Sequence, residues 1–188
     1  MNSRTNKKTY RLALSGVCLA FAAICVSLAS IVPGGELTLY AISGIFTGIV
    51  ISEIGLKGAV IFYIGALLLS FLLSPNKFGV IPYLFFFGVY GFIKYFAEKK
   101  NGIFTQMIIK IGSFILVFAI AFNFFREVFF SNINLPDISI WILAIMGIVM
   151  FLLYDYIYTL AILIYNRRVK RVRVEINLSG EEDGNEKR

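Results

Sequence analysis

Residues 12–32 read LALSGVCLAFAAICVSLASIV, a stretch of 21 positions without a single charge. A helix needs roughly 20 apolar residues to cross about 30 Å of hydrocarbon, so this stretch predicts a membrane-spanning helix. The apolar region of a cleaved signal peptide is shorter, at about 7–15 residues. We therefore expect residues 12–32 to be a retained first span.

Five further apolar segments follow, at about residues 38–54, 58–74, 79–96, 107–129 and 138–165. The chain is 59% hydrophobic and 15% charged, whereas soluble domains have about 45–50% apolar and about 25% charged residues. The second and third segments are separated only by residues 52–57, and together they are too long for one span. The sequence therefore predicts an all-α, polytopic bundle of six transmembrane helices.

The basic residues give the expected orientation of this bundle. With the N-terminus inside, sixteen of the 18 Lys and Arg residues fall on the inner side, and only Lys77 and Arg126 fall on the outer side. Cytoplasmic loops of membrane proteins carry this excess of Lys and Arg. We expect a multi-pass protein of the cell (plasma) membrane with both termini in the cytoplasm.

The C-terminal segment differs in composition from the rest of the chain. Residues 1–166 form the predicted transmembrane domain, and residues 167–188 begin as a basic run and end with several acidic residues. This tail is too short for a domain. We expect a basic segment beside the lipid surface, followed by a disordered end.

Composition also excludes several function classes. The chain has no histidine, the commonest general base and transition-metal ligand. It lacks nucleotide-binding and hydrolase motifs and a carboxylate cluster for Mg²⁺. The net charge of +7 gathers beside the ends of apolar runs, so it indicates topology and not nucleic-acid binding. We expect no enzyme activity, no metal and no cofactor.

One group of polar residues is a candidate substrate-binding site. Asn123, Arg126 and Glu127 are spaced i, i+3 and i+4 near the outer end of the fifth predicted helix, so they share one face. An amide, a forked cation and a carboxylate would then line a cavity open to the outside. In the alternative interpretation, Arg126 and Glu127 are simply solvated at the membrane interface.

Asp155 is the deepest charge in the predicted bundle. It lies about 21 Å along the last helix from Trp141 and about 18 Å from Arg167. Charges at such depth are costly and mark functional sites. Asp155 could have a structural role, bonded to Lys110, Lys57 or a tyrosine hydroxyl, or it could carry protons or bind substrate.

Two stripes of small residues are candidate helix-contact faces. Gly16 and Ala20 are four residues apart on the first helix, and Gly44 and Gly48 on the second. Small residues at this spacing let membrane helices approach closely. Either stripe could pack within the monomer or against a partner.

The size, basic charge and predicted topology resemble the S components of energy-coupling factor (ECF) transporters. Residues 12–22 are similar to the first helix of that family, with Gly16 and Ala20 at the positions of its small-xxx-small motif. The resemblance implies a membrane subunit that binds a vitamin or other micronutrient near the outer face. It also implies a transmembrane coupling subunit with ATPases as partners.

The chain departs from that family in two respects. Its first outer loop, residues 32–37, is shorter than the lid of many S components, and no vitamin-specific signature occurs, so no ligand residue is carried over. The alternative is a non-transport membrane scaffold or assembly protein similar to the small MreD-type factors of the cell-shape machinery. Such a protein needs helix faces for its partners but no ligand cavity.

Overall fold

The computed structural model describes the backbone of residues 3–100, 102–130 and 140–185, and the side chains of residues 9–100, 102, 104–117, 119–120 and 145–168. Throughout these ranges the chain is helical with short turns and contains no strand, which confirms the all-α part of the predicted fold class. The α-helices are α1 (Ser3–Ala29), α2 (Glu36–Ile54), α3 (Leu56–Leu73), α4 (Gly88–Glu98), α5 (Ile103–Phe130) and α6 (Ile140–Asn185).

Five segments of the described chain are long and apolar enough to cross a membrane. They are Thr9–Ala29, Glu36–Ile54, Leu56–Leu73, Lys77–Glu98 and Ile145–Arg168. The described side chains of α5 contribute a shorter apolar stretch, Phe104–Val117. Because the side chains of α5 beyond residue 120 lie outside the described residues, the sixth span stays a prediction.

A single glycine separates α2 from α3. Gly55 ends α2 and precedes α3 with φ +85°, a conformation that costs a residue with a Cβ atom much more than it costs glycine. The two apolar segments are thus separate helices joined by a tight turn, as the sequence analysis predicts.

The segment predicted as one span at residues 79–96 is less regular than expected. It begins with a 3₁₀ turn (Lys77–Val80) and continues through a π-helical turn (Tyr83–Phe87) into α4. Pro82 directly precedes the π turn and has no backbone N–H to donate, which locally disrupts α-helical hydrogen bonding. The apolar pattern alone gave no sign of this change of helix type.

Helices α2 and α6 run in the same direction at the centre of the bundle. Gly44 lies against Tyr154, and Gly48, one turn further along α2, lies against Tyr158. Residue numbers therefore increase together along the two helices.

Helix α5 runs in the opposite direction to α6. Its Lys110 contacts Asp155, while its Phe114, one turn further on, stacks on Phe151, one turn earlier in α6. Helix α4 runs with α6, because Tyr90 bonds to Asp155 and Lys94, one turn further on, bonds to Thr159. In these contacts α2, α4 and α6 share one direction and α5 has the opposite one, as in an up-and-down bundle.

The backbone of α6 is helical across the predicted boundary at residues 166 and 167. Side chains beyond Arg168 lie outside the described residues. The assignment of residues 167–188 to a disordered, basic-then-acidic tail therefore stays a prediction.

The two stripes of small residues have different surroundings. A Cβ atom on Gly44 would lie 2.7 Å from the hydroxyl of Tyr154, and one on Gly48 would collide with the hydroxyl of Tyr158. Gly16 is exposed and would have no heavy atom within 4 Å of a new Cβ. The stripe on α2 is thus filled from within the monomer, whereas that on α1 is open.

We predict that Gly48→Ala destabilises the fold and that Gly16→Ala does not. Overpacking costs about 1–3 kcal/mol, and the Tyr158 ring is buried and cannot move aside without disturbing the core. Unfolding of both variants in mixed micelles measures the difference. Equal stability of the two variants would contradict the close approach of α2 and α6.

Candidate functional site

The most charged place inside the described bundle is centred on Asp155 of α6. This residue lies about 15 Å from the start and about 20 Å from the end of the span Ile145–Arg168. Its side chain is 20% exposed, and it accepts hydrogen bonds from residues of two other helices. We use the name charge network for Asp155 and the polar side chains around it, which are Tyr90, Lys94, Glu98, Lys110 and Thr159.

Helix α4 supplies two of these side chains. The hydroxyl of Tyr90 donates to Oδ1 of Asp155 at 2.6 Å, and Nζ of Lys94 donates to the same oxygen at 2.6 Å. Tyr90, Lys94 and Glu98 are spaced four residues apart, so one face of α4 carries all three. Only 6% of the Lys94 side chain is exposed.

The ammonium group of Lys94 has an acceptor for each of its three N–H groups. Besides Asp155, it donates to Oγ1 of Thr159 at 2.7 Å and forms an ion pair with Oε1 of Glu98 at 2.9 Å. The Thr159 hydroxyl donates its own hydrogen to the backbone carbonyl of Asp155. Thr159 is therefore fixed as an acceptor towards Lys94.

Helix α5 supplies the second lysine. Nζ of Lys110 lies 2.9 Å from Oδ2 and 3.1 Å from Oδ1 of Asp155, and 3.6 Å from Oε1 of Glu98. Its side chain is 12% exposed, whereas that of Glu98 is 45% exposed. Lys110 thus joins α5 to α4 through Glu98 and to α6 through Asp155.

The network is electrically balanced. Two ammonium groups face two carboxylates, so the network carries no net charge. Removing one member of a buried ion pair leaves an uncompensated charge in a medium of low dielectric constant, at a cost of about 3–5 kcal/mol. The pairing explains how Asp155 is tolerated at this depth.

Aromatic rings cover the side of the network that faces the interior of the bundle. The ring of Tyr90 packs against the rings of Phe151, Tyr154 and Tyr158 at centroid distances of 5.5, 5.1 and 5.4 Å. Nζ of Lys94 lies 5.6 Å from the centre of the Tyr158 ring. This arrangement separates Asp155 from the lipid and from water on that side, and it strengthens the ion pairs.

Two of the three partners that the sequence analysis named for Asp155 are present. Lys110 and a tyrosine hydroxyl, that of Tyr90, bond to it, whereas Lys57 is exposed on α3. Lys94 was not predicted as a partner of Asp155, because it was counted only among the basic residues that indicate topology. Lys94 lies four residues from both Tyr90 and Glu98 within an apolar segment, and this spacing was the sign of a polar face on α4.

Three other predicted site residues lie further along α5. Asn123, Arg126 and Glu127 belong to α5, but their side chains lie outside the described residues. Their role in binding a substrate stays a prediction.

An apolar groove of about 270 Å³ lies elsewhere, on the surface of the bundle between α3 and the segment before α4. Its lining is formed by Leu67, Leu68, Phe71, Lys77, Val80, Ile81 and Leu84. The ammonium of Lys77 is bonded to backbone carbonyls of Phe71 and Ser74 at 2.5 and 2.9 Å. This groove is separate from the charge network and offers its occupant mainly hydrocarbon.

Fold and site together define an all-helical protein in which helices of membrane-spanning length surround a balanced network of buried charges. The chain matches no protein-family model, no curated protein and no solved structure. A function is therefore inferred from the packing, exposure and charge of the protein's own residues.

We predict a large loss of stability for Asp155→Asn and a smaller loss for Lys110→Gln. The first variant leaves two lysines facing only the half-exposed Glu98, which exposes an uncompensated charge at a cost of about 3–5 kcal/mol. The second leaves Asp155 paired with Lys94. Lys57→Gln, at an exposed lysine, is the control and should stay within about 0.5 kcal/mol of wild type. Unfolding in micelles measures all three, and an Asp155→Asn variant as stable as the control would show that the network is dispensable.

Proposed function

We propose that this protein is the membrane-embedded substrate-binding subunit of an ECF-type uptake transporter for a vitamin or other micronutrient. In this proposal it resides in the cell membrane with six spans and both termini in the cytoplasm. It works with a transmembrane coupling subunit and ATPases, since the chain carries no nucleotide-binding motif of its own.

The observation that carries the proposal is the open face of α1. Ala13, Gly16 and Ala20 are all exposed and follow one another at helical spacing. Unlike the stripe on α2, this face contacts no other described helix at Gly16. A strip of small residues on the outside of a membrane bundle permits another helix to approach closely, where packing and not the hydrophobic effect drives association.

The proposed ligand site lies at the outer end of α5. The guanidinium group of Arg126 would bind an anionic or amide-bearing ligand, with Asn123 orienting it and Glu127 as a further acceptor. Losing one charge-assisted hydrogen bond, worth about 1.5–3 kcal/mol, should weaken vitamin binding by Arg126→Ala about 10- to 150-fold in titration calorimetry. Unchanged affinity would remove Arg126 from the site.

The up-and-down directions of the described helices support the proposed topology. Because α2, α4 and α6 end at one side of the bundle, a chain of six spans would have both termini there. Lys99 and Lys100, beside the end of α4, are exposed and fit the cytoplasmic side.

One observation favours the alternative function, a scaffold or assembly protein similar to the MreD type. The charge network is balanced by its own residues, and the rings of Tyr90, Phe151, Tyr154 and Tyr158 fill the space around it. This part of the bundle needs no ligand to be complete. A scaffold would use the open face of α1 to hold a different partner.

We predict that reporter fusions after Lys100 and after Arg173 report cytoplasm and that fusions after Lys77 and after Asn134 report the outside. The charge bias predicts which positions face the cytoplasm. The helix directions predict that the first two positions share one side of the membrane and the last two share the other. Paired phosphatase and fluorescent-protein reporters measure it. An outside signal after Lys100 would contradict the six-span topology.

We predict that replacing Gly16 and Ala20 together by Leu abolishes co-purification with the coupling subunit. Two bulky side chains would hold the partner helix away from α1, while the fold stays intact because nothing in the bundle contacts the new atoms at Gly16. The experiment co-expresses the subunit with the coupling subunit and ATPases of its host.

Gly112→Leu is the matched control, since Gly112 is an exposed glycine on α5 with equally open surroundings. The control should co-purify normally. Retention of the coupling subunit by the Gly16/Ala20 variant would contradict the proposed docking face. Failure of that variant to fold would instead place the face inside the monomer.

A further inference from the structure

The ion pairs of Glu98 differ in kind from those of Asp155. Asp155 is enclosed and accepts bonds from Tyr90, Lys94 and Lys110. Glu98 is 45% exposed and is bonded through one oxygen only. Because Glu98 is half-exposed, water can solvate its carboxylate when it turns outward, while Asp155 keeps both lysines paired and in place.

One oxygen position is common to both lysines. Oε1 of Glu98 lies 2.9 Å from Nζ of Lys94 and 3.6 Å from Nζ of Lys110. The remaining acceptors of Lys94 are Asp155 and Thr159. When Glu98 turns outward, each ammonium group has an N–H group directed towards the vacated position. The three charges that remain, those of Lys94, Lys110 and Asp155, sum to +1.

The location of this position matches that of membrane phosphates. Glu98 is the last residue of the span Lys77–Glu98, and Lys94 lies one turn, about 6 Å, further into the bilayer. The ends of spans are at the level of the lipid headgroups. The exposed residues Lys99 and Lys100 add positive charge at the same end.

We propose that the position of Glu98 Oε1 is a binding site for a phosphate oxygen, with Glu98 as an exchangeable internal occupant. A single negative charge, such as that of a phosphodiester, would restore the neutrality that Glu98 otherwise provides. Lys94 and Lys110 would bind this oxygen as a pair of charge-assisted donors. The site differs from the substrate site proposed on α5 and does not depend on it.

The test measures the thermal unfolding midpoint of the purified full-length protein during titration with dioleoylphosphatidylglycerol. Glu98→Gln removes the competing charge at a half-exposed position, so the fold should be retained. An ion pair with one half-exposed partner is at the strong end of exposed ion pairs, which correspond to a factor of up to about five in an equilibrium constant. The half-saturating lipid concentration should therefore fall about three- to fivefold in Glu98→Gln.

Glu36→Gln is the matched control, because it removes the same charge from an exposed position at the start of α2. Its half-saturating concentration should equal that of wild type. Parallel titration with inorganic phosphate identifies the source of the oxygen: a shift with the lipid alone assigns a headgroup, and a shift with inorganic phosphate assigns a water-soluble phosphate.

The proposal is overturned if Glu98→Gln and wild type respond alike to both probes. It is also overturned if Glu36→Gln changes as much as Glu98→Gln, since the effect would then be one of net charge. Lys110→Gln gives a second check: if it folds, it should lose the response of Glu98→Gln when the two substitutions are combined.

Discussion

The carboxylate of Asp155 imposes the constraint on which the described bundle depends. A charge at this depth is costly in a bilayer, and here Lys94 of α4 and Lys110 of α5 both compensate it. Three helices must therefore lie at fixed heights relative to one another. A shift of one turn, about 5.4 Å, in any of them would separate the charges.

The glycines of α2 make this arrangement possible. Because Gly44 and Gly48 have no side chains, Tyr154 and Tyr158 can lie directly against α2, and α6 is then held with Asp155 turned towards α4 and α5. The small residues of α2 thus permit the packing that brings Asp155 of α6 to its lysine partners. At Gly16, the similar stripe on α1 contacts no described part of the bundle, which leaves it open to the partner proposed above.

Much of the helical fold could be predicted from the sequence, because long apolar runs and turn residues such as Gly55 are local signals. The π-helical turn after Pro82 could not, since a proline predicts a break in α-helical hydrogen bonding but not the helix type that follows. For the site, the cost of a buried charge singled out Asp155 and suggested Lys110 as a partner. Lys94 and Glu98 were not predicted as members of the network. Their spacing indicates a polar face on α4, but it does not give the height of that face relative to Asp155 on α6.

The central claim is that Asp155 and Lys110 act as one unit that joins α5 to α6. A double-mutant cycle of Asp155→Asn and Lys110→Gln, measured by unfolding in micelles, tests it most directly. Residues in one ion-pair network have coupling energies of about 0.5–3 kcal/mol, whereas independent sites are additive within about 0.5 kcal/mol. We expect a coupling above about 1 kcal/mol for this pair. Additive effects of the two substitutions would contradict the account.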